Sequence, residues 1–225
     1  MAKILNIETA TTNCSVSVSI NGELVSIVEE NTPNYSHSEQ LHVFIEKALK
    51  DASLTFTDID VIAVSKGPGS YTGLRIGVSA AKGLCFSLDL PLISIPTLES
   101  MANQIIIKED EIVIPLLDAR RMEVYSCVFD HSYQEIRKTK AEIIDENSFS
   151  EYLNYKKIHL VGSGAEKCED ILKNEKFKFY KVVFPSSKEM GQLAQRKFAA
   201  RNFEDVAYFE PYYLKDFILQ TKKKV

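Results

Sequence analysis

The chain has 225 residues, 45% hydrophobic and 26% charged, enough apolar material for two modest lobes or one large unit; this is an ordinary globular composition, for which disorder is not the default. A net charge of −4 argues against binding nucleic acid through an overall positive field, which leaves only local basic patches for that role. Asn6 and Glu8 interrupt the first apolar stretch before a signal-peptide core can form, and no run approaches membrane-spanning length, so a cytoplasmic chain with no membrane partner is expected.

Residues 3–9 and 15–20 read as strands, the second with Val16, Val18 and Ile20 alternating, and residues 23–30 read as a third. Asn21-Gly22 between the last two is a strong hairpin signal, so the sheet opens with antiparallel connections. Between the first two strands lies Glu8-Thr9-Ala10-Thr11-Thr12-Asn13. This hydroxyl-rich stretch is either a turn stabilised by its own side chains or a phosphate or metal-water loop. Residues 36–52 form an amphipathic helix with Leu41, Phe44, Ile45, Ala48 and Ala52 on one stripe and a capping box from Ser36 and Glu39. His37 and His42 are five apart, about 140° around a helix, whereas a shared metal needs i, i+4 spacing; helix-face histidines are the better reading.

The most informative stretch is Ser65-Lys66-Gly67-Pro68-Gly69-Ser70-Tyr71-Thr72-Gly73-Leu74-Arg75-Ile76-Gly77, which follows a short apolar strand over 59–64. Gly-Pro-Gly is a tight, pre-set turn, and Ser70 or Thr72 is placed to cap the helix that follows, to residue 88. That helix contains Gly73, Gly77 and Gly83, each costing roughly 1 kcal/mol against alanine. Gly73, Gly77 and Ala81 fall in one row at i, i+4, i+8, a nearly bare surface that predicts close approach by another backbone, read here as a partner helix.

Residues 90–95 are a further strand, and a helix starts at Thr97 and runs to about residue 106. The charged connector Lys108-Glu109-Asp110-Glu111 marks a lobe boundary. The second half repeats the rhythm. Strands are expected at 112–117, 122–129, 135–144, 158–161 and 179–183, with helices at 147–153, 165–172 and 188–202. An aromatic extended segment, Pro211-Tyr212-Tyr213-Leu214-Lys215, precedes a solvated basic tail with Lys222, Lys223 and Lys224. The expected division is a first lobe of 1–107 plus 208–225 and a smaller second lobe of 108–207.

Several chemistries fail on spacing. A phosphate-binding Walker loop needs Gly-x-x-x-x-Gly-Lys-Ser/Thr, and no lysine follows Gly73. A dinucleotide turn needs a third glycine where Thr72 stands, and Pro68 lacks an N–H donor. Asp118-Ala119-Arg120-Arg121 is either an exposed turn with an internal ion pair or an arginine fork for phosphate or carboxylate. Cys14, Cys85, Cys127 and Cys168 form no Cys-x-x-Cys pair and read as buried free thiols, and the histidines assemble no nucleophilic constellation.

Taken together and in order, Ile4-Leu5-Asn6-Ile7-Glu8-Thr9-Ala10-Thr11, the Lys66 to Gly77 block, Asp118-Ala119-Arg120-Arg121 and Pro211-Tyr212-Tyr213-Leu214-Lys215 resemble the TsaB (YeaZ) family, of the glycoprotease-like group. The match spans nearly the whole chain. The resemblance implies an α/β fold of the two-lobed actin/hexokinase/Hsp70-like (ribonuclease H-like) kind, with mixed five-stranded sheets flanked by helices. It further implies a non-catalytic accessory subunit, required for threonylcarbamoyl transfer to adenosine 37 of ANN-decoding tRNA and paired with the catalytic paralogue TsaD. TsaE is the second partner, TsaC supplies threonylcarbamoyl-AMP, and tRNA is met through the complex; a homodimer of the isolated chain stays open. The implied partner interface comprises Leu41, Ile45, Tyr71, Gly73, Leu74, Gly77, Ala80, Ala81 and Leu84. No cofactor is expected in the isolated chain and nucleotide only in the complex, with Glu8, Thr9 and Thr11 as vestigial binding candidates. Thr97 and Met101 stand where the catalytic paralogue carries a metal-binding histidine pair, Glu8 where the family usually has aspartate, and Met122 where it usually has glycine. The rival reading is an ATP-dependent phosphotransferase or glycoprotease-like metallohydrolase of the same fold, using Glu8, Thr9, Thr11 and Asp118.

Overall fold

The computed structural model describes residues 1–32 and 37–215; the Ser36 cap and the basic tail lie outside the described residues. Strands β1 (Lys3–Glu8), β2 (Asn13–Ile20) and β3 (Glu23–Asn31) are followed by helix α1 (His37–Asp51), strand β4 (Val61–Gly67), helix α2 (Tyr71–Leu88), strand β5 (Leu92–Pro96) and helix α3 (Thr97–Ala102). They form a mixed sheet in the order β3-β2-β1-β4-β5, in which β1 pairs antiparallel with β2 and parallel with β4. Asn21 and Gly22 both take positive φ at the β2–β3 turn, the geometry an Asn-Gly hairpin supplies.

Strands β6 (Glu111–Asp118), β7 (Glu123–Phe129), β8 (Glu135–Ile143), β9 (Lys157–Val161) and β10 (Phe177–Tyr180), with helix α4 (Ala165–Glu169), make a second sheet in the order β10-β9-β6-β7-β8. Its strands repeat the connectivity of the first, with β6 central, antiparallel to β7 and parallel to β9. Helix α5 (Met190–Ala199) is the last helix or strand among the described residues.

Both faces of the first sheet are covered, which is why β4 and β5 read as unbroken apolar runs rather than alternating ones. Leu5, Ile7, Ile62, Val64 and Leu92 point to α1 and α2, while Ile4, Val61, Ala63, Ile93 and Ile95 pack under Met190, Leu193 and Ala194 of α5. The second sheet buries Ile112, Ile114, Leu116 and Val124 with Phe149 and Cys168 on one face, and Val113, Leu117 and Val161 with Leu98 and Met101 of α3 on the other.

This packing corrects the expected lobe boundaries. Helix α5, placed by sequence in the second lobe of 108–207, lies on the first sheet, and Glu204 of the following segment accepts from Ser94 Oγ at 2.5 Å and bridges to Leu92. Helix α3 sits between the two sheets. The polar side of β2 is buried by the return: Ser15 Oγ meets Ser187 Oγ at 2.7 Å, Ser17 Oγ donates to Ser187 O at 2.9 Å, and Asn13 Nδ2 donates to Pro185 O at 2.9 Å. The expected helix over 147–153 is instead a single 3-10 turn at Ser150–Tyr152. All four cysteines are buried and free, and burial pushes Cys14, Cys85 and Cys168 up to about 12, so their thiols stay protonated.

Candidate functional site

The glycine-rich block locks α2 onto the β1–β2 loop. Gly67 ends β4 at φ +108, and a Cβ there would stand 2.9 Å from Tyr212 O. A Cβ at Gly69 would stand 2.3 Å from Ala10 O, which itself accepts from Ser70 N at 2.6 Å. Ser70 is the N-cap, its Oγ accepting from Gly73 N at 3.3 Å.

The bare row of α2 has its occupant within the chain. A Cβ at Gly73 would lie 2.1 Å from Thr9 O and one at Gly77 2.2 Å from Thr9 Oγ1, while Thr9 Oγ1 donates to Gly73 O at 2.8 Å. The backbone that approaches this helix so closely is therefore the end of β1, not a partner. Leu41, Ile45, Leu74 and Ala81 are likewise buried, each at 1% exposure or less. Of the residues expected at an interface, only Tyr71, Ala80 and Leu84 keep part of their surface. The outward face of α1 and α2 carries other residues. A methyl group added at Gly83 would meet no described atom within 4 Å; Phe86 is 86% exposed and Val43 60%, beside half-buried Phe44, Ile76, Ala80 and Leu84. The signal for these was in the sequence: Val43 and Phe86 are apolar residues that fall off the amphipathic stripe.

A cleft of about 590 Å³ separates the lobes. Its first-lobe wall is Ala10, Thr11, Thr12 and residues 68–72; its second-lobe wall is Leu117, Asp118, Ala119, Arg120, Tyr125 and Ser163, and residues 212–215 pass along it. Hydroxyls and aromatic rings dominate this lining. The turn of Arg120 and Arg121 takes positive φ at both positions, whereas Met122 does not, so position 122 does not call for a glycine. Lys167 Nζ ties the turn down, donating to Asp118 Oδ1 at 2.7 Å and Arg121 O at 2.9 Å, so Asp118 is engaged in an ion pair.

Of the vestigial binding candidates, only Thr11 reaches the cleft. Thr9 is spent on α2. Glu8 is fully buried, its Oε1 accepting from Ala10 N at 2.6 Å and Ser65 Oγ at 2.8 Å, and its Oε2 meets no hydrogen-bond partner among the described residues. Desolvation raises its pKa to about 7, with the hydrogen bonds from Ala10 and Ser65 opposing the rise. A fully buried carboxyl beneath the loop is not placed to meet phosphate or metal water in the cleft, and the structure does not bring Glu8 and Asp118 together. His37 is buried with Nε2 2.7 Å from Thr11 O, whereas His42 is exposed, so the two do not share a site. Thr97 and Met101 are both fully buried, and a Cβ on Gly162 of the second lobe would overlap Met101 Cε.

A buried polar chain that sequence reading missed joins β6, β9 and β10: Glu111 Oε2 to His159 Nε2 at 3.0 Å and His159 Nδ1 to Tyr180 Oη at 3.0 Å. Burial lowers the His159 pKa against the pull of Glu111, and hydrogen bonds from Lys108 N and His159 hold Glu111 low against its own desolvation. Neutral His159 then donates to Glu111 and accepts from Tyr180, a satisfied network that ties the strands to the interlobe connector.

Two sheets of the same strand order, facing each other across a cleft, define a two-lobed α/β protein of the actin/hexokinase/Hsp70 kind. The family described as TsaD, tRNA N6-adenosine threonylcarbamoyltransferase, matches residues 32–221. The tRNA threonylcarbamoyladenosine biosynthesis protein TsaB of Escherichia coli is 30% identical over 98% of this chain and 97% of its own length. A tRNA N6-adenosine threonylcarbamoyltransferase of Bacillus thuringiensis is 35% identical over 51% of this chain and 37% of its own. The solved structure of YeaZ from Pseudomonas aeruginosa superposes with a TM-score of 0.79 at 22% identity, covering 95% of this chain and 100% of that one. The chain belongs to the TsaB (YeaZ) family, within the wider family of the transferase TsaD. Among the described residues no helix is long and apolar enough to cross a membrane.

Proposed function

We propose that this chain serves threonylcarbamoyladenosine synthesis on tRNA as a non-catalytic subunit, paired with a TsaD-type catalytic paralogue. The observation that carries the reading is the pair Thr97 and Met101. The positions that the family resemblance sets against a metal-binding histidine pair are filled by a hydroxyl and a thioether, both fully buried. Neither supplies an imidazole ligand, and neither has room to become one. The glycine-rich block supports the same reading, because its carbonyls and glycines are consumed in fixing α2 to Thr9 and Ala10. TsaE and tRNA are then met through the complex, in the cytoplasm, and nucleotide is held by the assembly rather than by this chain.

The partner surface in this reading is the outer face of α1 and α2, centred on Gly83, Phe86 and Val43 with Ala80 and Leu84. Gly83→Arg and Phe86→Asp place charge where the free chain has open space, so each leaves the fold intact and is expected to abolish co-purification with the paralogue. Undiminished co-purification of both folded variants removes this surface. Nucleoside analysis of tRNA after depletion of the protein tests the function itself: threonylcarbamoyladenosine falls severalfold or more, and normal levels overturn the proposal. The rival enzyme reading predicts tight binding of ATP and magnesium by the isolated chain in calorimetry.

A further inference from the structure

The chain crosses between the lobes covalently through residues 103–110 and again through 181–189. A third crossing is non-covalent. Residues 211–215 run without regular structure along the cleft, and nearly all of their anchorage is on the first lobe. Tyr212 N donates to Lys66 O at 2.7 Å, and Gly67 leaves room for the Tyr212 carbonyl. The Tyr213 ring lies 4.8 Å from that of Tyr71, its hydroxyl accepts from Arg75 Nε at 3.4 Å, and the Arg75 guanidinium sits 4.2 Å over the Tyr71 ring. One charged contact reaches across: Lys215 Nζ pairs with Glu123, the first residue of β7.

We propose that residues 211–215 are a latch that holds the two lobes closed over the cleft, with Tyr213 as its catch on α2 and Lys215 as its catch on the second lobe. The asymmetry carries the argument. A cluster of Tyr71, Arg75 and Tyr213, joined by a tilted ring contact, a cation–π contact and a hydrogen bond, gives the strap a firm seat on the first lobe, while a single partly exposed ion pair fastens it to the second. Such a pair is weak and reversible, which suits a fastening that must release. What it controls is access to a cleft lined by hydroxyls and aromatic rings, roomy enough for a small polar molecule. Tyr212, Tyr213 and Lys215 themselves belong to that lining, so release of the strap removes one wall.

Nitroxide labels at Thr72→Cys on the first lobe and Met122→Cys on the second, both exposed, report the opening by pulsed electron spin resonance; the native cysteines are buried. With the latch intact a single short distance is expected. Tyr213→Ala and Lys215→Glu each shift the distribution towards longer distances, and the exchange Lys215→Glu with Glu123→Lys restores the short one. An unchanged distribution in both single variants overturns the latch. So does an exchange that stays as open as Lys215→Glu while circular dichroism shows a native fold. The measurement uses the free chain, so it stands or falls separately from the partner reading.

Discussion

Gly77→Ala is expected to destabilise the chain by about 2–3 kcal/mol, whereas glycine to alanine inside an exposed helix usually gains roughly 1 kcal/mol. The new methyl would stand 2.2 Å from Thr9 Oγ1, and the displaced hydroxyl would lose its bond to Gly73 O. Gly73→Ala should behave alike, since its methyl meets Thr9 O at 2.1 Å, a backbone atom with no rotamer to escape into. Gly83→Ala is the control of opposite sign, because its methyl enters open space; a gain of up to about 1 kcal/mol is expected. Urea midpoints of the three variants decide it. If Gly77→Ala and Gly83→Ala move the midpoint in the same direction, the assignment of the inner row to Thr9 is wrong. Loss of partner binding in a Gly77 variant would report damaged folding rather than a lost contact, and for that reason the partner surface is tested at Gly83.

Glu8→Gln is expected to stabilise the chain at pH 8 and to be nearly neutral at pH 4. Burial pushes the Glu8 carboxyl up to about 7 from its ordinary 4.5, so the folded state binds this proton more tightly than the unfolded one. Stability from that preference is complete below pH 4.5 and is lost as pH rises through 7. The loss approaches roughly 3 kcal/mol once the buried carboxyl must ionise. Glutamine keeps the acceptor for Ala10 N and Ser65 Oγ, places a neutral group at the orphan Oε2 position, and does not titrate. Thermal melts of both proteins across pH 4 to 8 should diverge steadily with rising pH. A gap between them that stays constant over that range would show that Glu8 ionises as freely as in the unfolded chain.

Much of the architecture was legible in the residues because it is written in short-range signals. Asn21-Gly22 specified a hairpin, Ser70 a helix cap, and the unbroken apolar run of β4 a strand buried on both faces. The repeated strand rhythm announces two similar sheets, and the motif blocks place the chain in its family. The candidate site was harder. Glu8, Thr9 and Thr11 are neighbours in sequence, yet β1 ends among them, so Glu8 turns beneath the loop, Thr9 turns to α2, and only Thr11 meets the cleft.

The amino-acid sequence by itself determined which faces of each element had to be covered: the stripe of α1, both sides of β4, and the bare row of α2. Periodicity reports that a surface cannot be left to water, because apolar area and glycine cost are local properties of the element. What covers it is a long-range matter, and only the tertiary structure decided that. It assigned the bare row to Thr9 of the same chain, carried α5 back onto the first sheet over the serines of β2, and laid Tyr213 on Tyr71 across the mouth of the cleft. Those pairings join residues far apart in the chain, and no local spacing encodes them.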